Sequence, residues 1–243
     1  MPSNYTEVFQ DPDAVEKYAE RTYAPGTFSS IVSSRQTSWL RGFVPSAFAL
    51  PPVHHDFACG TGRVARMLAG LVEVSHGYDT SEAMLVKGRE LGTPGVAHLV
   101  GPGGAVPEIA PGRPALVTAF RFVLNVDDEL RGQLLEFAAA ALPDADAGML
   151  LIENHGNASS LRRMRRTFGR LDADTWFQEL SHDHMLSLLE RHGFELVGVQ
   201  GFTLFTQGCY RRPVSWLAKG VDAVFASSLS KWATDVVYIA RRR

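Results

Sequence analysis

Cysteine is scarce. The 243 residues hold two, Cys59 and Cys209. Two thiols cannot build a disulfide framework, and a zinc site would need more closely clustered ligands, so no metal is expected. Long apolar runs are missing too: no stretch approaches the ~20 continuous apolar residues of a membrane span. The first thirteen residues, MPSNYTEVFQDPD, are polar and acidic. They lack the basic-then-apolar order of a signal peptide. Together these absences predict a cytoplasmic protein without a membrane partner. Excess charge of one sign is also absent. Lys+Arg number 24 and Asp+Glu 26, for a net charge of −2. Nothing global therefore draws the chain to nucleic acid or anionic membrane. One local exception is Arg162, Arg163, Arg165, Arg166 and Arg170. Helical spacing spreads them over more than one face, the pattern of a solvated helix. Internal repeats and low-complexity linkers are absent as well.

What is present is an apolar content of 45%, enough for the core of one large α/β domain. Residues 1–50 read as a helical N-terminal cap, with helices over 11–23 and 28–43. Gly26 separates them, and Pro45, Pro51 and Pro52 close the region. From residue 51 onward short apolar runs alternate with helical patterns. Strands are expected at 53–57, 72–78, 96–100, 115–120 and 149–153, with helices over 62–69, 82–91 and 128–142. Ser181 reads as an N-cap and Gly193 as the stop of the helix between them. Residues 195–200 and 235–240 supply two last strands. Strands separated by helices argue for a parallel sheet covered on both faces. The last two strands are about thirty residues apart, far beyond an ordinary connection of ~2–6. That insertion, 202–231, carries Phe205, Tyr210, Trp216, Leu217 and Phe225 and, together with residues 1–50, is expected to close over the site as a lid.

The most informative segment is Asp56-Phe57-Ala58-Cys59-Gly60-Thr61-Gly62-Arg63. A strand runs into a turn of small residues, and an amphipathic helix follows at once. Gly60 and Gly62 let the backbone turn sharply and approach a ligand closely. The helix start presents N–H groups and positive dipole to a polar ligand. A dinucleotide fingerprint would need glycines at 58, 60 and 63. Ala58 and Arg63 stand at two of those places, which disfavours NAD. The second strand ends at Asp79, whose carboxylate can accept hydrogen bonds from ribose hydroxyls. The other reading of Asp79 is a cap for the helix beginning near Ser81.

With Asp56–Arg63 followed by Tyr78-Asp79-Thr80-Ser81-Glu82-Ala83-Met84-Leu85, the chain resembles the class I S-adenosylmethionine-dependent methyltransferases. The likeness is good over residues 50–155 and looser at the terminal strands. It implies a Rossmann-like α/β fold: a seven-stranded, mostly parallel sheet with helices on both faces and an antiparallel last strand. It also implies S-adenosylmethionine as cofactor and S-adenosylhomocysteine as product. In the family pattern Gly60 and Gly62 wrap the methionine part, and Asp56 supports the loop and the ammonium. Asp79 takes the ribose hydroxyls and Met84 packs near adenine, with Ala58, Thr61 and Thr80 in the same wall. Members often carry an acid after the third strand that bonds adenine. Here Pro102 stands there, which leaves adenine to backbone such as the Gly103 N–H and to apolar walls.

Methyl transfer needs nucleophile, carbon and sulfur in line at ~3–3.5 Å, and a hydroxyl nucleophile needs a base in reach. Ligands of parallel α/β sheets sit at the carboxyl ends of strands. Phe120, Arg121 and Phe122 follow the fourth strand, Asn154 and His155 the fifth. Phe120 and Phe122 are expected against the cofactor, Arg121 and Asn154 at the acceptor, and His155 as general base, since its ordinary pKa is about 6.5. Tyr18 and Tyr23 are expected to fold over the methionine end. His54 and His55 read as packing residues, because a pair without acidic companions makes a poor metal site. Cys59 reads as a turn filler. The expected activity is methylation of a small molecule, at a hydroxyl of a partly aromatic or apolar metabolite, by a monomer or homodimer. The alternatives are an RNA or protein methyltransferase, or a protein of this fold that methylates nothing.

Overall fold

The computed structural model describes residues 9–101, 104–110, 112–161, 163, 179–205, 207–210 and 215–243. Its strands are β1 (Val53–Phe57), β2 (Val74–Asp79), β3 (Val96–Leu99), β4 (Ala115–Ala119), β5 (Gly148–Asn154), β6 (Phe194–Thr203) and β7 (Asp235–Arg242). They form one sheet in the order β3-β2-β1-β4-β5-β7-β6. β1 to β5 pair in parallel, and β7 is antiparallel to both β5 and β6. The Rossmann-like expectation, antiparallel last strand included, therefore holds.

Every residue of β4 and β5 is buried. The two-residue period of a strand then sends neighbours to opposite cores. Val117, Leu150 and Tyr238 pack on one face with Leu134, Phe137 and Met185. Leu116, Leu151 and Val237 pack on the other with Leu40, Val44 and Phe202. A sheet with two buried faces needs covering helices on both sides, and the chain supplies them between strands.

The helices among the described residues are α1 (Pro12–Thr22), α2 (Phe28–Ala47), α3 (Arg63–Met67), α4 (Glu82–Glu90), α5 (Asp128–Ala141), α6 (His182–Arg191) and α7 (Ser215–Phe225). Short polar side chains cap the N-termini of five: Asp11, Thr27, Ser81, Asp127 and Ser181 each accept from a backbone N–H of the first turn. Two helix boundaries differ clearly from expectation. α2 runs through Pro45 to Ala47, because a proline in the last turn removes one helical hydrogen bond and the Phe48 N–H still reaches the Val44 carbonyl. α3 is only five residues long, too short for its dipole to contribute much beyond the free N–H groups of one turn.

The insertion is not a bare loop. A 3₁₀ turn (Gln207–Tyr210), α7 and a second 3₁₀ turn (Ser230–Trp232) fill it. The buried Asp222 of α7 accepts from Arg35 Nη1 (2.6 Å), Tyr210 Oη (2.5 Å) and the Leu204 N–H (3.0 Å). Arg35 lies on α2, and Phe28 of α2 packs its ring 5.3 Å from that of Tyr210. Cap helix and insertion are thus fastened to each other. Of the arginine-rich stretch only Arg163 is described, paired with Glu179 at 3.0 Å; the rest lies outside the described residues, as do Trp176 and Phe177. No helix of the described residues is long and apolar enough to cross a membrane.

Candidate functional site

At the carboxyl ends of β1, β2 and β4 the chain encloses a cavity of about 330 Å³. The loop after β1 forms its floor. Ala58, Gly60 and Gly62 all have positive φ, at 54°, 55° and 71°. Glycine is required at 62, where a Cβ would stand 2.2 Å from the Thr93 side chain. Ala58 adopts the left-handed region with a Cβ, a strain that tends to collect at functional sites. Ala58, Gly60 and Thr61 line the cavity, while Gly62 shapes the turn behind it. Cys59 packs its sulfur where a Cβ on Gly77 would meet it at 2.8 Å. Burial, with Asp56 and Asp79 nearby, holds its thiol well above the usual range, so it is a turn filler.

Asp79 closes β2 and joins two elements. Its Oδ2 accepts from the Gly60 N–H at 2.7 Å and its Oδ1 from the Ser81 N–H at 2.9 Å. Ser81 is the cap of α4, accepting from the Met84 N–H at 3.1 Å, so Asp79 is left to brace the glycine loop and face the cavity. Burial pushes its carboxyl up, and hydrogen bonds from Ser81 and Gly60 hold it back. Thr80 and Met84 line the same side. Beyond β3 the wall continues with Val100, Gly101, Gly104 and Ala105. Gly103, expected at adenine, lies outside the described residues, as does Pro102.

Asp56 is held from behind by a buried chain of polar groups. Thr118 Oγ1 donates to Asp56 Oδ1 at 2.5 Å. Having spent its proton, that hydroxyl must accept from His54 Nε2, 2.8 Å away. His54 Nδ1 then accepts from Ser75 Oγ at 2.6 Å. Burial, helped by His55 and His76, lowers the His54 pKa to about 3, so the imidazole is the neutral relay this chain requires. The other oxygen, Asp56 Oδ2, is buried with no hydrogen-bond partner among the described residues. Asp56 lines the cavity, and burial raises its pKa to about 7 against the pull of Thr118 and Arg63.

Phe120, Arg121 and Phe122 all reach the cavity. Arg121 has φ of 62°, and its N–H donates to Glu153 Oε2 at 2.8 Å. Glu153 is fully buried; its Oε1 accepts from Gln36 Nε2 at 2.5 Å, and Arg63 Nη2 lies 3.7 Å from Oε2. Arg63 also donates to Gln36 Oε1 at 2.8 Å and lies over the Tyr23 ring at 5.0 Å. Burial opposes the Arg121 charge, but Tyr23, Glu153, Tyr18 and Asp235 outweigh it and keep the guanidinium charged. Tyr18 and Tyr23 line the cavity, and the Tyr23 hydroxyl is buried without a partner among the described residues. Glu153, Gln36 and Arg63 are thus central residues that reading along the chain does not find.

The other two residues expected at the acceptor lie elsewhere. Asn154 is fully buried, donates to the Leu180 carbonyl at 2.8 Å and accepts from the Gly156 N–H at 3.4 Å. Its carboxamide closes the end of β5 and lines no part of the cavity. His155 is half-buried in the following turn and is likewise not among the residues that line the cavity. Nor does any described residue of the insertion line it, so what covers the cavity is the 9–23 segment, through Phe9, Tyr18 and Tyr23.

No family model matches the chain, and no curated protein matches it. Solved structures do. Magnesium protoporphyrin IX methyltransferase from Synechocystis PCC 6803 with bound S-adenosylhomocysteine is 13% identical, with 98% of each chain covered and a TM-score of 0.64. A possible histamine N-methyltransferase from Thermotoga maritima is 18% identical, covering 98% of this chain and 99% of its own, with a TM-score of 0.60. A glycopeptide N-methyltransferase, MtfA, complexed with S-adenosylmethionine is 14% identical over 85% of this chain and 94% of its own, at 0.55. The chain has the fold of the S-adenosylmethionine-dependent methyltransferases.

Proposed function

We propose that this protein is a cytoplasmic enzyme that binds S-adenosylmethionine and transfers its methyl group to a small molecule, by preference to a hydroxyl of a partly aromatic or apolar metabolite. The observation that carries the reading is Asp56 Oδ2, a buried carboxylate oxygen without a partner in the wall of the cavity. A buried, unpaired anion is costly unless a cation meets it, and the cofactor carries an ammonium and a sulfonium. Asp79 suits the ribose: each of its oxygens accepts one backbone N–H and keeps a lone pair for a hydroxyl. Met84, Phe120 and Phe122 give the adenosine apolar walls. Bound there, the cofactor supplies a methyl group on a positive sulfur, open to in-line displacement.

The chain's own part is to exclude water, orient the acceptor and hold charge. Arg121 and Tyr23 are the polar groups facing the acceptor end, and the aromatic rings of Phe9, Tyr18 and Tyr23 close it from water. The proposed arrangement leaves Asn154 to the architecture of β5 and assigns orientation of the acceptor oxygen to Arg121. His155 keeps a role as base only through movement of its turn on binding.

The test is product formation. Purified protein with S-adenosylmethionine and a panel of phenols, alcohols and amines should release S-adenosylhomocysteine above the acceptor-free level, detected by mass spectrometry. RNA and protein acceptors should give none, and NAD should not bind. Binding of the cofactor without product from any acceptor would favour a protein that keeps the fold and methylates nothing.

Asp56 makes a pH prediction. Its folded pKa of about 7 stands above the ordinary aspartate value of 3.8. Its contribution to stability is therefore fully present below about pH 4 and is lost as pH rises through about 7. A bound cation reverses the preference, because the ionised carboxylate binds it. Cofactor affinity should rise with pH by up to ~tenfold per unit below about pH 7 and level off above. Facing groups are Arg63, Asp79 and Cys59. Burial also raises Asp79, so Asp56→Asn is needed to separate the two. Calorimetry across pH 5–8 should show a flatter profile for that variant; identical profiles would remove Asp56 from cofactor binding.

A further inference from the structure

Away from the polar chain behind Asp56, the opposite face of the same strands carries a row of imidazoles. His55 of β1 is paired in register with His76 of β2, and Tyr78 of β2 with His98 of β3. The period of two puts all four side chains on one face. Glu108, on the segment after β3, comes down over the end of this row. Three potential ligands converge there: an imidazole nitrogen from His76, another from His98, and a Glu108 carboxylate oxygen, all within 4.8 Å of one another.

The geometry points to a binding site for one zinc-class divalent transition-metal ion, held by His76 Nδ1, His98 Nε2 and the Glu108 carboxylate. The two nitrogens are 3.0 Å apart, with ring planes within 27° and centroids 5.3 Å apart, so they point at each other. Two imidazole nitrogens so placed share a single proton, one donating and one accepting. A metal ion replaces such a proton. The carboxylate straddles the pair: Oε2 is 3.7 Å from His76 Nδ1 and Oε1 is 3.8 Å from His98 Nε2. Zinc bonds of ~2.0–2.2 Å in a tetrahedron place ligand atoms about 3.3 Å apart. The two imidazoles must therefore swing apart by a few tenths of an ångström while the carboxylate moves in by about as much. Both mobile arms have room, since the His98 side chain is 24% and the Glu108 side chain 62% exposed.

The surroundings suit a ligand set of this kind. Tyr78 lies parallel to the His98 ring at 4.6 Å, and its hydroxyl accepts from the Glu108 N–H at 3.2 Å. The same tyrosine therefore orients one ligand and anchors the segment bearing another, the supporting role that residues behind metal ligands perform. Two imidazoles and a carboxylate with one side open to solvent match a three-ligand site that keeps a water in the fourth position. The ion would tie residues 104–110, which bring Gly104 and Ala105 into the cavity wall, to β2 and β3. Composition hides this cluster, because its members lie on two strands and a loop, and His76 and His98 are 22 positions apart.

The test uses the full chain, stripped with a chelator, and zinc(II) alone as probe, in competition with a chromophoric chelator. One ion per chain should bind with a dissociation constant of micromolar or below. His98→Gln and Glu108→Gln should each weaken binding at least tenfold while leaving the melting temperature in metal-free buffer unchanged; Glu108 is exposed enough that its variant will fold. Cobalt(II) should give a visible absorption band with the wild-type chain that both variants lose. Absence of stoichiometric binding, or binding that both variants retain, would overturn the site. None of these readouts depends on methyl transfer.

Discussion

Asp79→Ala should bind S-adenosylmethionine about 10²-fold more weakly than the wild-type chain. Two losses combine. The carboxylate is the proposed acceptor of the ribose hydroxyls, and a hydrogen bond to a charged group is worth ~1.5–3 kcal/mol, or roughly tenfold to more than a hundredfold in affinity. The same carboxylate accepts from the Gly60 and Ser81 N–H groups, so its removal leaves two donors unpaired and frees the glycine loop. Asp79→Asn separates the effects. One amide oxygen can still accept a backbone N–H, but the amide nitrogen turns a donor towards the other, so its loss should fall between alanine and wild type. Calorimetry on variants whose circular dichroism matches the parent decides it. An alanine variant with unchanged affinity would assign Asp79 to the architecture of the loop alone.

Local features were legible in the sequence and convergent ones were not. The strand, turn of small residues and helix at 53–67 occupy adjacent positions, and the positive φ at Gly60 and Gly62 is the conformation glycine makes cheap. β4 and β5 follow from apolar runs of the right length, since strands buried on both faces need continuous apolar sequence. The N-cap at Ser181 was equally readable, because capping is a contact over three residues, whereas at α4 the cap is Ser81 and not Asp79, the residue the sequence put forward for it. The Glu153 centre is different. Gln36 and Glu153 are 117 positions apart, and nothing near either one announces the other. The acceptor side shows how parity misleads. The carboxyl end of β5 is a sound place to look, but successive residues of a strand face opposite ways. Glu153 turns towards Gln36 and the Arg121 N–H, while Asn154 turns towards Leu180. The aromatic content of 202–231 suggested a lid. In the fold Tyr210 packs on Phe28 of α2, Trp216 and Phe225 of α7 stay largely exposed, and the cover of the cavity comes from Phe9, Tyr18 and Tyr23.

Glu153→Gln should cost both stability and turnover, and the two losses should have one cause. The carboxylate is fully buried and receives the Gln36 amide and the Arg121 N–H, with Arg63 beside it. A glutamine in its place presents one oxygen and one NH₂ to neighbours that are all donors. One donor is then left unpaired and the Arg63 charge loses its counter-charge, a loss of about 2–4 kcal/mol in unfolding free energy. Arg121 is the residue that carries the effect to the site. Its φ of 62° is a conformation a side-chain-bearing residue holds at ~1–3 kcal/mol, and the Glu153 hydrogen bond is what holds it. Released, Arg121 should relax out of the left-handed region and take its guanidinium from the acceptor end. A misplacement of about 1 Å can cost ~10²-fold in rate, so kcat should fall by that order while cofactor affinity moves little. A double-mutant cycle tests the mechanism. Glycine takes positive φ without strain, so in the Arg121→Gly background the stability cost of Glu153→Gln should shrink by the part that holding Arg121 represents, roughly 1 kcal/mol or more. Equal costs in both backgrounds, read from urea melts, would mean that Glu153 acts through Gln36 and Arg63 and does not hold Arg121 in place.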